Sequence, residues 1–429
     1  MKIKALLIEL ARIIVGLVFV VSGFTKAIDP VGLGLKVHDF QTLVFGITNP
    51  TLLSWGQPLA TSLIVVEFCV GAFLLMGIYR RLASRLATLL LFFFTLLTGY
   101  VYITGTMPDC GCFGDALKMT ASGTFLKNLL LLPMALLLAW NATEIKHLYS
   151  KREQWIPASL AIVGIGLFVY TNLRALPYVD FRPYRIGYNI RERIRQADSL
   201  YMTALNAGTR YIYERNGVQQ SFAVDSLPDS TWTYVEVQQA ERLSLTPSAY
   251  SFLVLTPEGE DKTEEILTDT TGIFLFLSPD WAKAEQTRYE VVNELYSYLS
   301  ERGIKFYSVS PTVADNAAEW FYRTGAEYPA LFVDATTIRT MLRANPGLVI
   351  IKDGVIIDKL ASVDFPSSDE FANFVSSRLE RGEHTKPSLW RLSILMLWGL
   401  LLLIGLLRRT LRWGRAAGYL SVRKQTKTE

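Results

Sequence analysis

Residues 5–27 read ALLIELARIIVGLVFVVSGFTKA. An α-helix needs about 20 mostly apolar residues to cross a hydrocarbon layer of about 30 Å, and this run is long enough. The run carries Arg12 and is not closed by an Ala-x-Ala site, so an uncleaved first transmembrane helix explains it better than a signal peptide does. The stretch therefore predicts an integral membrane protein.

The apolar residues of the chain are unevenly distributed. Half of the 429 residues are hydrophobic, and they concentrate in residues 5–175 and 389–407, whereas the stretch between has the composition of a soluble domain. The net charge of +4 is small, and the basic residues cluster beside apolar segments. This pattern indicates the lipid bilayer as a partner and argues against nucleic-acid binding.

Six segments are long and apolar enough to span a membrane. They lie near residues 7–27, 59–78, 86–104, 122–141, 155–173 and 389–407. Unpaired backbone groups are not tolerated in lipid, so all six are predicted to be helices.

The short basic segments between these helices predict the orientation of the chain. All of them fall on one side if the six helices span: Lys2 and Lys4; Arg80, Arg81 and Arg85; Lys146, Lys151 and Arg152; and the tail from Arg408 to Lys427. Positively charged loops stay in the cytoplasm. We therefore expect a multi-pass protein of a bacterial inner membrane, with both termini cytoplasmic and residues 174–388 periplasmic.

The predicted fold class is a membrane α-helical bundle joined to an extracytoplasmic α/β domain. The expected division is a four-helix bundle at 1–150, a fifth helix at 151–175, a β-rich periplasmic segment at 176–268, an α/β unit at 269–385, and a sixth helix with a basic tail at 386–429.

The periplasmic region carries clear strand and turn signals. Residues 210–224 are typical of a hairpin that turns at Asn216-Gly217. After Gly272, strands and helices alternate. The predicted elements are strands at 273–277, 305–309 and 330–333, helices at 281–301, 312–324 and 368–380, and a hairpin of 348–352 with 355–360 that turns at Asp353-Gly354.

The loop between the third and fourth predicted helices reads PDCGCFGD over residues 108–115. Cys110 and Cys112 would face an oxidising periplasm, where a disulfide is chemically allowed. A disulfide across one residue has poor geometry, which Gly111 tolerates best, and a strained disulfide is easily reduced, as an exchanging bond must be. Two other interpretations stay open: two thiols packed into a glycine-rich loop, and a metal site, although the chain offers only three histidines as further ligands.

Several ionisable residues fall inside the predicted helices. Glu67 is near the middle of the second helix, Arg12 and Lys26 are in the first, and Lys127 is in the outer third of the fourth. Charges at such depth are costly and usually face a partner inside the bundle. We expect Glu67 to pair with Lys26 or Lys127 beneath the cysteine loop. The alternatives are a structural clamp and lysines that snorkel to the interface.

These residues resemble a known family. The first two helices are similar to those of DoxX-like membrane proteins at Arg12, Gly16, Phe19, Ser22, Gly23, Lys26, Asp29, Pro30, Glu67, Gly71 and Gly77. The segment 110–115, followed by Lys127-Asn128, resembles the MauE branch, which is named for methylamine utilisation. The resemblance covers residues 7–141. It implies a four-helix membrane bundle and a part in periplasmic thiol chemistry that helps an enzyme subunit to mature, but it does not imply that this chain handles methylamine.

The α/β unit resembles the thioredoxin fold. The order of strand, helix, strand and a proline before a terminal hairpin is similar, and Pro346 would occupy that family's cis-proline site. Active thioredoxins carry Cys-x-x-Cys after the first strand, where this chain has DWAKAE at 280–285, and no cysteine follows Cys112. Because a thiolate is the nucleophile in exchange, this degenerate thioredoxin-like unit is expected to bind or dock rather than to react.

The preferred prediction is thiol–disulfide exchange or electron transfer that supports the maturation of an unidentified periplasmic protein. It assigns the redox pair to Cys110 and Cys112, and supporting roles to Asp109, Asp115, Glu67, Lys26 and Lys127. A quinone acceptor is compatible with this chemistry but no residue requires it, and whether the chain is itself an oxidoreductase is left open. The rival predictions are a non-enzymatic membrane scaffold that binds a partner and a small-solute carrier.

Overall fold

The structure is a computed structural model that describes residues 2–106, 114–117, 119–208, 210–238, 252–311, 315–385, 392–393 and 396–406. The chain divides into two compact units. The membrane unit comprises Met1–Phe181 with Lys386–Glu429, and the second unit comprises Arg182–Thr385. Among the described residues, five helices are long and apolar enough to cross a membrane, and all five lie in the membrane unit.

The membrane unit is helical throughout its described core. Its helices are α1 (Lys2–Ile28), α2 (Pro30–Asp39), α3 (Pro50–Leu53), α4 (Gly56–Met76), α5 (Arg80–Thr104), α6 (Ala121–Trp140) and α7 (Trp155–Arg174). A π-helical turn over Phe40–Val44 follows α2 directly. Helix α1 packs on α4, α5 packs on α6, the two pairs contact each other, and α7 packs against α4 and α1.

The first five predicted spans are confirmed as helices, with different ends. Helix α5 begins at Arg80 rather than at 86, because arginine is a good helix former and its long side chain extends away from the apolar layer. Helix α2 lies between the first two spans along the chain, and Asp29 caps its N-terminus by accepting from the Gly32 N–H. Of the predicted sixth span, the described segment Met396–Leu406 is an apolar helix.

Glycines allow α1 and α4 to approach until their backbones touch. A Cβ atom placed on Gly71 of α4 would lie 2.6 Å from the backbone nitrogen of Val20 and 2.8 Å from the carbonyl oxygen of Gly16. A Cβ atom on Gly23 of α1 would lie 2.6 Å from the backbone nitrogen of Phe68. Small residues at such crossings are the usual way for membrane helices to pack closely.

We expect Gly71→Val to lower the free energy of unfolding by about 1–3 kcal/mol, because the added methyl groups meet backbone atoms that cannot rotate away. The matched control is Gly166→Val on α7, where a Cβ atom would meet nothing within 4 Å. The measurement is reversible denaturation of the full chain in detergent micelles. Equal losses for the two variants would contradict a packing role specific to Gly71.

The described residues of the second unit form two sheets and six α-helices. The helices are α8 (Ile190–Gly208), α9 (Thr263–Leu267), α10 (Tyr289–Ser300), α11 (Asp315–Thr324), α12 (Ala335–Met341) and α13 (Phe371–Leu379). The strands are β1 (Arg210–Arg215), β2 (Val218–Phe222), β3 (Thr233–Gln238), β4 (Ile273–Leu277), β5 (Lys305–Ser310), β6 (Ala330–Phe332), β7 (Gly347–Lys352) and β8 (Val355–Ala361).

The larger sheet has the order β6-β5-β4-β7-β8. Strand β4 is parallel to β5, and β5 is parallel to β6, whereas β4 pairs antiparallel with β7 and β7 with β8. All five residues of β4 are buried, as expected for a central strand covered on both faces. Phe276 of β4 lies in an aromatic core with Trp281, Trp320 and Tyr328.

Both predicted hairpins are confirmed. Strands β1 and β2 pair around Asn216-Gly217, and β7 and β8 pair around Asp353-Gly354. All four turn residues have positive φ, the conformation that a two-residue type I′ turn requires. Strand β3, which the sequence did not predict, pairs with the other edge of β1.

The predicted helix at 281–301 is wrong at its start. Trp281–Lys283 forms a 3₁₀ turn that Asp280 caps, and α10 begins only at Tyr289. Two tertiary contacts override the helical pattern: Trp281 is buried in the aromatic core, and the Glu285 N–H donates to the carbonyl oxygen of Asn345 instead of a helical carbonyl. Helix α12 was also missed, because its seven residues are too few to display a clear helical period.

Candidate functional site

A buried ion pair joins α1 to α4. The Lys26 Nζ atom lies 2.6 Å from the Glu67 Oε2 atom, and each side chain is 5% exposed. The Ser22 hydroxyl donates to the Glu67 Oε1 atom at 2.6 Å. Both carboxylate oxygens therefore have a donor, which is the condition under which a buried charge is tolerated.

The local sequence explains why the pair forms there. Ser22 and Lys26 are four residues apart on α1, so they project from the same face. Gly23 lies between them and lets α1 meet the backbone of Phe68, which places Glu67 opposite that face. Lys26 Nζ also lies 5.5 Å from the centre of the Phe94 ring, within the range of a cation–π contact.

A cavity of about 20 Å³ lies beside the ion pair. Lys127 and Asn128 of α6 contribute to its lining together with Lys26 and Glu67. Asn128 is buried, and its Nδ2 atom lies 3.4 Å from the Thr98 hydroxyl. A space of this size holds about one water molecule.

The described end of the cysteine loop rests on the end of α1. A Cβ atom on Gly114 would lie 3.3 Å from the carbonyl oxygen of Thr25 and 3.7 Å from the Cα atom of Lys26. The next residue, Asp115, places its Oδ1 atom 3.5 Å from Lys36 Nζ on α2. The loop therefore returns to the bundle directly beside the lysine of the buried ion pair.

Asn172 of α7 fixes the same end of α1. Its Nδ2 atom donates to the carbonyl oxygens of Ala27 at 3.1 Å and Phe168 at 3.0 Å. Its Oδ1 atom accepts from the Tyr178 N–H at 2.9 Å. The side chain is 1% exposed, so these contacts hold the end of α1 in a dry environment.

The structure brings together four of the predicted site residues and leaves three undescribed. Glu67 pairs with Lys26, while Lys127 lines the adjacent cavity and Asp115 contacts Lys36. Asp109, Cys110 and Cys112 lie outside the described residues, so the redox pair stays a prediction, as do the supporting roles.

Sequence reasoning gave no site role to three residues that complete this region: Ser22, Lys36 and Asn172. Ser22 had a usable signal, since it lies one helical turn before Lys26 on an otherwise apolar helix. Lys36 and Asn172 are far along the chain from the residues they contact, and no local pattern marks such pairs.

Arg12 has a different, structural environment. It is 3% exposed and donates from Nη1 to the carbonyl oxygens of Leu74, at 3.0 Å, and Leu75. These carbonyls belong to the last turn of α4, where helical partners run out and a cation is favoured. Its Nη2 atom also donates to Glu9 at 2.7 Å. Arg12 therefore closes a helix end rather than contributing to the ion pair.

The described residues contain no group of three or more His, Cys, Asp or Glu side chains placed to hold a metal ion. Cys69, the one cysteine within them, is a buried free thiol on α4.

In the second unit, hydrogen bonds organise the segment 280–285, which is predicted to correspond to the Cys-x-x-Cys segment of thioredoxins. The Ser278 hydroxyl donates to Asn345 Oδ1 at 2.7 Å, and Asn345 Nδ2 donates to the carbonyl oxygen of Asp280 at 2.8 Å. The peptide bond between Asn345 and Pro346 is cis. Trp281 packs on Trp320 with ring centres 4.6 Å apart. Polar and aromatic contacts thus hold this segment without a thiol.

Asp269 makes the second unit sensitive to acid. Burial raises the pKa of its carboxyl, but hydrogen bonds from Thr271, Lys305 and the Gly272 N–H outweigh burial and hold the pKa at about 2, below the ordinary 3.8. A carboxyl whose pKa is lower in the folded than in the unfolded state stabilises the fold at any pH above its unfolded-state pKa. That stabilisation is lost as the pH falls towards the folded-state pKa. We expect a loss of about 2 kcal/mol between roughly pH 5 and pH 2, which Asp269→Asn removes.

Hydrogen exchange of β4 and β5 peptides in the full chain, corrected for the intrinsic effect of pH, measures this loss. The variant should show a shallower dependence on pH than the natural chain. If protection from exchange depended on pH to the same extent in the variant and in the natural chain, the role of Asp269 would be contradicted.

The described residues contain five apolar helices long enough to span a membrane and a buried ion pair whose carboxylate oxygens both accept hydrogen bonds, and these features characterise a multi-pass membrane protein. Residues 4–141 match the family model described as methylamine utilisation protein MauE, so the part of the chain from α1 to α6 is MauE-like. Residues 208–240, which contain β1 to β3, match a domain of unknown function, DUF8463. No curated protein matches the chain.

Proposed function

We propose that this chain is an inner-membrane protein of the DoxX/MauE type that supports thiol–disulfide exchange or electron transfer during the maturation of a periplasmic protein. Cys110 and Cys112 are the exchanging pair. The observation that carries the proposal is the close approach of Gly114 to the backbone of Thr25 and Lys26, beside the buried ion pair of Lys26 with Glu67.

Covalent geometry limits how far the cysteines lie from this site. An extended chain spans at most about 3.6 Å per residue, so two residues keep the Cα atom of Cys112 within roughly 7 Å of that of Gly114. Gly114 lies close enough to α1 that an added Cβ atom would touch it, and Asp115 contacts Lys36. An anchor directly after the loop suits an exchanging pair, because it fixes one end of the segment that carries the two thiols.

The exchange conserves atoms and electrons between two partners. The thiolate of one protein attacks a sulfur atom of the other protein's disulfide, which forms a mixed disulfide and releases one thiolate. A second thiolate of the attacking protein then resolves the mixed disulfide. One dithiol has become a disulfide and one disulfide has become a dithiol, with two electrons and two protons transferred.

The second unit is proposed to be a thioredoxin-like docking domain on the periplasmic side, with both chain termini in the cytoplasm. Its five-stranded sheet supports this, since a central parallel pair is followed by an antiparallel hairpin. The chain has three cysteines, at 69, 110 and 112, so residues 182–385 contain no thiol that exchange could use. The proposed division keeps a β-rich segment at 176–268 and the thioredoxin-like domain at 269–385.

Thiol labelling in intact membranes tests the proposal. Membranes are quenched with acid, alkylated, reduced, and alkylated again with a heavier reagent, and the Cys110–Cys112 peptide is weighed. We expect the pair to switch as a unit between two light and two heavy labels when membranes are treated with dithiothreitol and then with a mild oxidant. Cys69→Ser is the control and should not alter the switch. Two light labels under every condition would exclude exchange at this pair.

A second candidate function, a non-enzymatic scaffold, is favoured by the lack of any cysteine in the second unit. The two functions differ in what serine substitutions do. If the chain is a scaffold, the Cys110→Ser/Cys112→Ser double variant still supports the maturation of its partner. If the chain exchanges disulfides, the double variant loses that support while its folding and membrane insertion are unchanged.

A further inference from the structure

A second pocket lies in the membrane unit. It has a volume of about 420 Å³ and is lined by the connection from α4 to α5, the first turn of α5 and the connection from α6 to α7. We call it the basic pocket and define it by six of its lining residues: Tyr79, Arg80, Arg81, His147, Lys151 and Gln154. Its volume is that of an ordinary small-ligand site.

All the charged side chains that line the basic pocket are positive. Arg80, Arg81 and Lys151 are cationic, and no acidic residue is among the described residues that line it. The nearest acidic residues along the chain are engaged elsewhere: Glu144 pairs with Lys4 at 2.7 Å, and Glu153 accepts from the Ser150 N–H at 3.3 Å. Three cations without a carboxylate partner in the lining create a site for an anion.

Two helix N-termini add to this positive potential. Helix α5 begins after Tyr79 and α7 begins after Gln154, and both of these residues line the pocket. Neither side chain caps its own helix; the Gln154 side chain instead accepts from the Tyr79 N–H at 3.2 Å. The N-termini of helices carry partial positive charge, which favours phosphate oxygens.

The position of the pocket indicates which phosphate would occupy it. The pocket is lined by the two connections that join four candidate membrane spans in pairs, and such connections lie near the lipid headgroups. Apolar side chains accompany the cations: Leu82 lines the pocket and is 56% exposed, and Trp155 at the start of α7 is 62% exposed. Tryptophan is enriched at the membrane interface, where it contacts both acyl chains and headgroups.

We propose that the basic pocket binds the phosphate of an anionic phospholipid headgroup. Arg81 and Lys151 are exposed and hold the phosphate by charge and hydrogen bonds, with Arg81 able to bind it through two N–H groups. Arg80 adds positive charge to the pocket, but its Nη1 atom already donates to the carbonyl oxygen of Ile145 at 2.6 Å. The ligand is a resident lipid that ties together the α4–α5 and α6–α7 connections.

The test uses the full chain in a neutral detergent, with phosphatidylglycerol as the anionic probe and phosphatidylcholine as the zwitterionic one. Native mass spectrometry measures lipid retention, and a thermal shift measures stabilisation. Each Lys or Arg near anionic lipid contributes roughly a fivefold factor in binding, so Arg81→Gln/Lys151→Gln should weaken phosphatidylglycerol binding by roughly tenfold to thirtyfold. Phosphatidylcholine binding should change little.

The matched control is Arg85→Gln/Arg152→Gln, which removes two exposed charges near the same ends of the helices but outside the pocket lining. It should retain phosphatidylglycerol binding within about twofold. If both double variants lost phosphatidylglycerol binding to the same extent, the proposed site would be wrong, since charge density alone would then explain binding. Equal stabilisation by millimolar inorganic phosphate without lipid would overturn the lipid as the source of the phosphate. The melting temperature of each variant without lipid verifies that it folds.

Discussion

Replacing Glu67 with leucine is expected to lower the free energy of unfolding of the membrane unit by about 3–5 kcal/mol, because it leaves the buried ammonium of Lys26 without its carboxylate. Lys26 and Glu67 lie 2.6 Å apart with 5% of each side chain exposed, so bulk solvent does not reach the ammonium that has lost its partner. The Ser22 hydroxyl loses the Glu67 carboxylate as an acceptor in the same change. Reversible denaturation of the full chain in mixed micelles measures the effect.

The double variant Lys26→Met/Glu67→Leu is the sharpest control, since it removes both charges and fills the space with apolar atoms. It should recover most of the stability that the single variant loses, as buried pairs elsewhere do. A second control, Lys4→Gln, removes an exposed pair with Glu144 and should cost at most about 1 kcal/mol. A double variant that is less stable than Glu67→Leu would contradict a simple ion pair and indicate that Lys26 has a further essential contact.

The second large effect concerns the two loop cysteines. In a glutathione buffer, the natural chain should resolve any adduct on one cysteine by attack of the other, because a neighbouring thiol reacts far faster than one from solution. Cys110→Ser and Cys112→Ser each remove the resolving thiol, so the mixed disulfide with glutathione should persist on the order of a hundredfold longer or more. Mass spectrometry of the intact protein over time measures the lifetime of the adduct.

Cys69→Ser is the control for this experiment. Cys69 is buried on α4 and should neither form the adduct nor resolve it. If the natural chain keeps its adduct as long as the single variants do, the two loop cysteines do not act on each other. The proposed exchange would then be wrong even if both thiols are accessible.

Hydropathy predicted the membrane helices well, because backbone groups in lipid leave few alternatives to a helix. The sequence alone could not predict which lysine pairs with Glu67. Lys26 and Lys127 were both at a suitable depth, and the choice depends on Gly23, which lets α1 reach the backbone beside Glu67. A glycine in an apolar run does not show in advance which helix it will face.

In the second unit, local turn chemistry was decisive where it was present. Asn216-Gly217 and Asp353-Gly354 predicted both hairpins, because few other residue pairs accept positive φ at two successive positions. The prediction of where α10 starts was wrong, because long-range contacts rather than local residues decide the structure there. The burial of Trp281 and the contact of Glu285 with Asn345 are long-range effects that no helical period reveals.

The same limit applies to the candidate site. Glu67 and Lys26 stood out because charges are rare in membrane helices, and their depth gave the signal. The contacts of Lys36 with Asp115 and of Asn172 with the end of α1 join residues that are distant along the chain. Such contacts follow from the packing of α2 and α7, which the apolar pattern alone does not specify.

Trapping the exchange partner in intact membranes is the most direct test of the central claim. In a Cys112→Ser variant, Cys110 keeps its thiol but lacks the one that would release a bound protein. The account predicts a disulfide-linked complex with a periplasmic protein that reductant dissolves and that the Cys110→Ser/Cys112→Ser double variant does not form. If neither single variant yields a reducible complex, and both thiols of the natural chain alkylate fully under oxidising and reducing conditions alike, the loop does not exchange disulfides.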